Sequence, residues 1–222
     1  MPTRSSKQRS SPPRLLPRGR NRLSPDEVLL RQRERLLQAM RHTLAKGGFR
    51  ATSVSQIATQ AHVTRPVFYR VFPGGKDECF LAAYDEAVGE LMQIAETTYT
   101  KAAPGLAGME AALRAVLMRL AQAPEMARLC LIEITALGEV GLRHRDAVLH
   151  RIAEQLQTLL SQSEGSSSSS PQKICALVGG GYQLLHLTVA EGRTGELPAL
   201  TPDILYMILA YQLGPRPPRQ PA

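Results

Sequence analysis

Cysteine is scarce in this chain. Cys79, Cys130 and Cys175 are odd in number, widely spaced and set in apolar, helix-patterned surroundings. This argues against a disulfide framework and fits a reducing cytoplasm, with buried structural thiols as the expected role and thiol sensing as the alternative. No stretch approaches the apolar length needed to span a bilayer, so no membrane partner is expected. No apolar run follows the basic residues at the start, which therefore lack the core of a signal peptide. HExxH, paired CxxC, the phosphate-loop GxxxxGKS/T and a GxGxxG after a strand are all missing, and His42, His62, His144, His150 and His186 show no ligand spacing. Gly179-Gly180-Gly181 is too short, and too apolar in context, to cradle a phosphate. The expectation is a protein that is not an enzyme, with no catalytic residues, no metal and no cofactor. Strand signals are absent too, so the expected class is all-α.

Positive charge is present, and it is unevenly placed. The net charge is +8, yet residues 77 to 222 hold eleven basic and sixteen acidic residues. Residues 24 to 76 hold nine basic and three acidic residues, and residues 1 to 23 seven basic and none acidic. Only the amino-terminal end is suited to meet a polyanion. Its first 23 residues set Arg4, Lys7, Arg9, Arg14, Arg18, Arg20 and Arg22 among Ser and Pro; they cannot bury a core, which predicts a disordered basic tail. Such arginines suit a phosphate backbone or a narrow A·T minor groove, a solubilising tail being the alternative.

The densest pattern is SVSQIATQAHVTRPVFYRVF, Ser53 to Phe72. Ser53 is a natural N-cap with Gln56 completing a capping box, and Val54, Ile57, Ala58 and Ala61 make one apolar face. Thr64 is expected to cap a second helix in the same way. Pro66 falls in its first turn, where a missing N–H is harmless, and Val67, Phe68, Val71 and Phe72 are its apolar anchors. Arg65, Tyr69 and Arg70 are left to project outward. Only His62 and Val63 separate the two patterns, which predicts a helix-turn-helix whose second helix can lie in a major groove. Upstream, Ser24-Pro25-Asp26-Glu27 opens a support helix with Leu29, Leu36, Leu37, Met40 and Leu44 on one face, closed by Gly47-Gly48. Downstream, Pro73-Gly74-Gly75 breaks the chain, and Lys76-Asp77-Glu78 starts a long helix.

Across Gly48 to Phe80, GFRATSVSQIATQAHVTRPVFYRVFPGGKDECF resembles the TetR family of bacterial transcriptional regulators. The likeness covers about the first third of the chain; beyond it only helical character, length and a closing Tyr211-Gln212-Leu213-Gly214 fit. Two positions depart from the family pattern: His62 stands where glycine is usual in the turn, and the Gly74-Gly75 pair lengthens the turn before Lys76 by one residue. The resemblance implies phosphate contacts from Thr52 and Ser53, base readout from Thr64, Arg65 and Pro66, with Arg65 foremost, and phosphate clamps at Tyr69 and Lys76. Arg70 suits either role. Partial burial against the support helix is the alternative for Tyr69.

The resemblance also implies the organisation: a tail at 1–23, a three-helix DNA-binding domain at 24–75, a larger helical effector-binding and dimerisation domain at 76–214, and a flexible tail at 215–222. Helical patterning is broken at Ala103-Pro104-Gly105, Pro124, Gly138 to Gly141, and Gly165 to Pro171, where five serines read as a loop. Two apolar carboxy-terminal segments, 174–191 and 202–213, resemble the pair that forms the family's four-helix dimer interface. A homodimer suits a palindromic double-stranded operator, because two-fold symmetry presents two recognition helices to two half-sites. Completion of the monomer's own core is the alternative for both stripes. Phe80, Tyr84, Met92, Met118, Met126, Cys130 and Ile134 are candidates for an effector pocket, though their spacing serves a plain core equally well. Glu133 and His186 are isolated polar groups able to orient a ligand, with a satisfied buried pair or a solvent-facing position as the alternatives. The expected protein is a cytoplasmic, sequence-specific regulator, a repressor released by a small, largely apolar effector. The alternative is DNA association without sequence preference or ligand response. If the tail engages phosphates, deleting residues 1–20 will flatten the dependence of log affinity on log salt in DNA titrations, because fewer counterions are released.

Overall fold

The computed structural model describes residues 24–161 and 170–213. The basic tail at 1–23, residues 162–169 with all of the serine run but Ser170, Gly214 and the tail expected at 215–222 lie outside the described residues. Among the described residues nine α-helices and two 3₁₀ segments succeed one another and no strand occurs, so the class is all-α, with an amino-terminal helix-turn-helix domain and a helical carboxy-terminal domain.

The support helix α1 (Pro25–Ala51) starts as its sequence dictates. Ser24 Oγ accepts the Glu27 N–H at 3.2 Å, Glu27 Oε2 accepts the Ser24 N–H at 2.6 Å, and Pro25 occupies the first turn. The glycine pair does not end the element outright. Gly48 adopts a left-handed φ of 73°, bending the chain, and a short further turn runs to Ala51. Leu36, Leu37, Met40 and Leu44 face inward, against α2 (Val54–Gln60) and α3 (Arg65–Val71).

The turn between α2 and α3 is a Schellman closure. The Val63 N–H donates to Ala58 O at 2.9 Å and the His62 N–H to Thr59 O at 3.0 Å, which places His62 at a left-handed φ of 53°. Among the described residues it is the one non-glycine with positive φ. Arg35 of α1 donates to its carbonyl at 3.1 Å, tying the turn to the support helix.

From α4 (Gly75–Lys101) onward the helices build one body. α5 (Leu106–Gln122) packs on α4, α6 (Pro124–Leu131) reaches α1, and a 3₁₀ segment (Glu133–Leu137) leads into α7 (Glu139–Ser161), which packs on α8 (Pro171–Ala190). A second 3₁₀ segment (Thr194–Leu200) packs on α5 and passes directly into α9 (Thr201–Leu213). Of the three glycines in α8, Gly180 lies against α9: a Cβ there would come 3.0 Å from Met207 Cε, the movable end of a flexible side chain.

His62 supplies a test of the turn. A side chain in the left-handed region costs about 1–2 kcal/mol, more for a β-branched residue. We expect His62→Val to lower stability in urea unfolding by about 1–2 kcal/mol, and His62→Gly to change it by about 0.5 kcal/mol or less, strain relief offsetting chain entropy.

Candidate nucleic-acid interface

Seven residues are too few for a helix to persist in isolation, so α3 depends on its anchors. Phe68 and Phe72 are both fully buried, their ring centroids 5.8 Å apart, and the Arg33 guanidinium lies 5.1 Å over the Phe72 ring. Each buried phenyl contributes roughly 1.5–3 kcal/mol. With that side fixed, Thr64, Arg65, Pro66, Tyr69 and Arg70 all reach solvent together. Tyr69 is 43% exposed, its ring edge-on to Phe68 at 5.5 Å, so it packs and projects at once. Among the described residues Arg65 and Arg70 have no carboxylate partner.

Thr64 is the N-cap of α3, but its side chain makes no capping bond. Pro66 removes one of the two amides such a cap would use, and no Glu or Gln stands at the third helical position to close a box. The Thr64 hydroxyl is therefore uncommitted. Ser53 does cap α2: its Oγ accepts the Gln56 N–H at 3.3 Å and Gln56 Oε1 accepts the Ser53 N–H at 2.7 Å, with the residue exposed.

Two residues expected at phosphates turn inward. Thr52 is 5% exposed and its hydroxyl donates to Gly48 O at 2.8 Å. Lys76 Nζ donates to Phe49 O at 3.0 Å and Thr52 O at 2.9 Å, and lies 4.0 Å above the Phe49 ring. The carbonyls where α1 ends favour a cation, and Lys76 in the first turn of α4 reaches them. Sequence spacing missed a different feature. Arg35, Arg41, Lys46, Arg50, Arg65, Arg70 and Lys76 follow one another with no carboxylate between Glu34 and Asp77. Lys46 borders a groove of about 490 Å³ with Thr43, Ser55, Gln56 and Thr59, residues joined only by the packing of α1 on α2. The signal available in sequence was the gap in acidic residues.

Residues 36–83 match the sequence model of the bacterial regulatory proteins of the tetR family. They form a TetR-family DNA-binding domain. The whole fold is similar to solved structures at low identity. FadR from Bacillus subtilis, in complex with stearoyl-CoA, superposes with a TM-score of 0.70 at 17% identity, over 80% of this chain and 98% of that one. A TetR-like regulator from Rhodococcus sp. RHA1 gives 0.67 at 20% over 87% and 100%, and Thermus thermophilus FadR with lauroyl-CoA 0.62 at 20% over 86% and 100%. Comparison with curated proteins gives no match.

Behind the TetR-family domain, the residues proposed from sequence as a pocket separate. Phe80, Tyr84, Met126, Cys130 and Ile134 are buried together, while Met118 is 45% exposed on α5. Helical spacing alone did not say which way that methionine points. His186 Nδ1 lies 2.8 Å from Leu131 O, which also accepts the Tyr182 hydroxyl at 3.1 Å, so both satisfy the carbonyl end of α6. Met92 borders a cleft of about 410 Å³ between α4 and α7, with Asp85, Val88, Gly89, His144, Val148 and Arg151 around it. One polar bridge, His144 Nε2 to Asp85 Oδ1 at 2.7 Å, crosses between those helices. No helix among the described residues is long and apolar enough to cross a membrane.

Burial pushes the Cys79 and Cys130 thiols up to about 12, leaving almost no thiolate near neutrality. Cys175 is half-buried on α8. We expect Ellman's reagent at pH 8 to titrate one thiol per native chain, and the other two only after denaturant is added.

Proposed function

We propose that the protein is a dimeric, sequence-specific transcriptional regulator, a repressor released from its operator by a small molecule. The observation that carries this reading is the outward face of α3. Two unpaired arginines, an uncommitted hydroxyl and a half-exposed tyrosine sit together on a helix whose opposite side is locked into the core. Arg65, at the leading end, would bridge guanine O6 and N7; Thr64 and Pro66 lie beside it; Ser53, Tyr69, Arg70 and Lys46 would meet phosphates. We withdraw Thr52 and Lys76 from direct contact and assign them to holding the segment between α1 and α2.

One small recognition helix makes few base contacts, so a second copy is needed. Supporting it, α8 exposes Ala176, Gln183, Leu187 and Ala190 at helical spacing beside the open Gly179, and α9 exposes Tyr206, 70% accessible, and Ala210. From Ala176 to Ala190 the named positions on α8 carry no charge, which suits the core of an interface between like copies. The effector site would lie between α4 and α7, at the cleft bordered by Met92, Val88 and Val148, and Tyr84, Phe80, Met126, Cys130 and Ile134, all buried, are the apolar side chains it would draw on. That lining and the long acyl chains in the two FadR complexes support a largely apolar ligand with a polar end.

The test is fluorescence anisotropy with the duplex upstream of the protein's own reading frame and a scrambled control at matched salt. Preference by about 1,000-fold is expected, and Arg65→Ala should cost about 1–3 kcal/mol on the preferred duplex while nonspecific affinity barely changes. Equal losses on both duplexes would favour association without sequence readout.

A further inference from the structure

Glu133 is an acidic residue buried to 7% exposure, 84 positions from the residue it contacts in the amino-terminal domain. It begins the 3₁₀ segment after α6. Its Oε2 accepts the backbone N–H of Phe49 at 2.8 Å, and its Oε1 accepts Arg128 Nη2 at 2.6 Å. A buried carboxylate is tolerated only when its oxygens are satisfied, and here one partner belongs to the chain just ahead of α2. Gly48 makes the approach possible. Its left-handed φ turns the chain, and a Cβ there would lie 3.0 Å from both carboxylate oxygens. From the other side, Lys76 of α4 holds the Phe49 and Thr52 carbonyls, and Phe80 meets the Phe49 ring edge-on at 5.0 Å. Residues 48–52, which lead straight into the Ser53 cap of α2, are thus gripped by α4 and the 3₁₀ segment together.

We infer that Glu133 is the positioning residue through which the carboxy-terminal body sets the helix-turn-helix: its carboxylate, held by Arg128, fixes the Phe49 amide and hence the start of α2. The inference rests on the DNA-binding reading above. A shift of α6 or the 3₁₀ segment moves this carboxylate, and the amide must follow it or lose its bond. Neither base contact nor effector contact is assigned to Glu133.

Hydrogen exchange by mass spectrometry on the full chain, paired with DNA binding, tests it. In Glu133→Ala, amides of residues 45–53 should exchange about tenfold faster or more, with those of α8 unchanged. Affinity for the preferred duplex should fall about tenfold. Glu133→Gln keeps a carbonyl oxygen for the Phe49 N–H but loses the pairing with Arg128, so it should fall between wild type and Ala in both readouts. Unchanged exchange at 45–53 in Glu133→Ala would overturn the proposal. So would an equal rise in α8, which would mean a merely structural role, and so would faster local exchange with undiminished DNA affinity. Should the wild type prefer no duplex at all, the regulator reading fails, and the exchange pattern alone decides whether Glu133 positions the segment.

Discussion

The burial of Phe68 and Phe72 is the interaction on which the rest depends. A seven-residue helix has no stability of its own, and these two rings, wedged against α1 and α2, turn it into a rigid platform. Everything on the opposite side follows. Arg65 and Arg70 stay unpaired because no carboxylate lies nearby in sequence and the anchored helix cannot rotate toward one. The turn before the helix is closed by a histidine in a conformation that glycine adopts more readily, and Arg35 bonds its carbonyl to the support helix. Strain and tether together hold the two short helices at a fixed crossing.

The platform would be of little use if it swung freely on the body behind it. Where α1 bends at Gly48, its last amide and carbonyls turn out of the helix, and both the local Thr52 and groups from far along the sequence bond them. Lys76 takes two carbonyls, Glu133 an amide, and Thr52 the Gly48 carbonyl. Four polar contacts thus converge on five residues. Helix ends need partners, and here Lys76 and Glu133 belong to other elements, so these bonds also fasten the two parts of the molecule.

Much of this was readable from the sequence. Capping boxes at Ser24 and Ser53, the proline in the first turn of α3, the short turn and the apolar spacing specify local geometry within a few residues, which is why the helices and their outward side chains stand where the patterns put them. What the sequence did not reveal depends on contacts over long separations. Lys76, set one residue further along than the family pattern has it, bonds the carbonyls of Phe49 and Thr52. Thr52 precedes the cap as expected, yet its hydroxyl bonds backward. Met118 shares a spacing with core residues but faces out, because α5 buries a neighbouring stripe. The role of Glu133 was open between ligand and satisfied pair; its partner, a backbone amide 84 residues away, has no sequence signature. The TetR-family match is confined to the part where local rules suffice.

The proposed role stands on α3 reading sequence in a two-fold assembly. The most direct measurement is selection of binding sites from a random duplex library by the full-length protein at near-physiological salt, followed by sequencing. Readout by paired α3 helices gives an enriched palindrome whose half-sites contain guanine and lie about one helical turn, roughly 10 base pairs, or a multiple of it apart. Recovery of sequences no different from the starting library would contradict it.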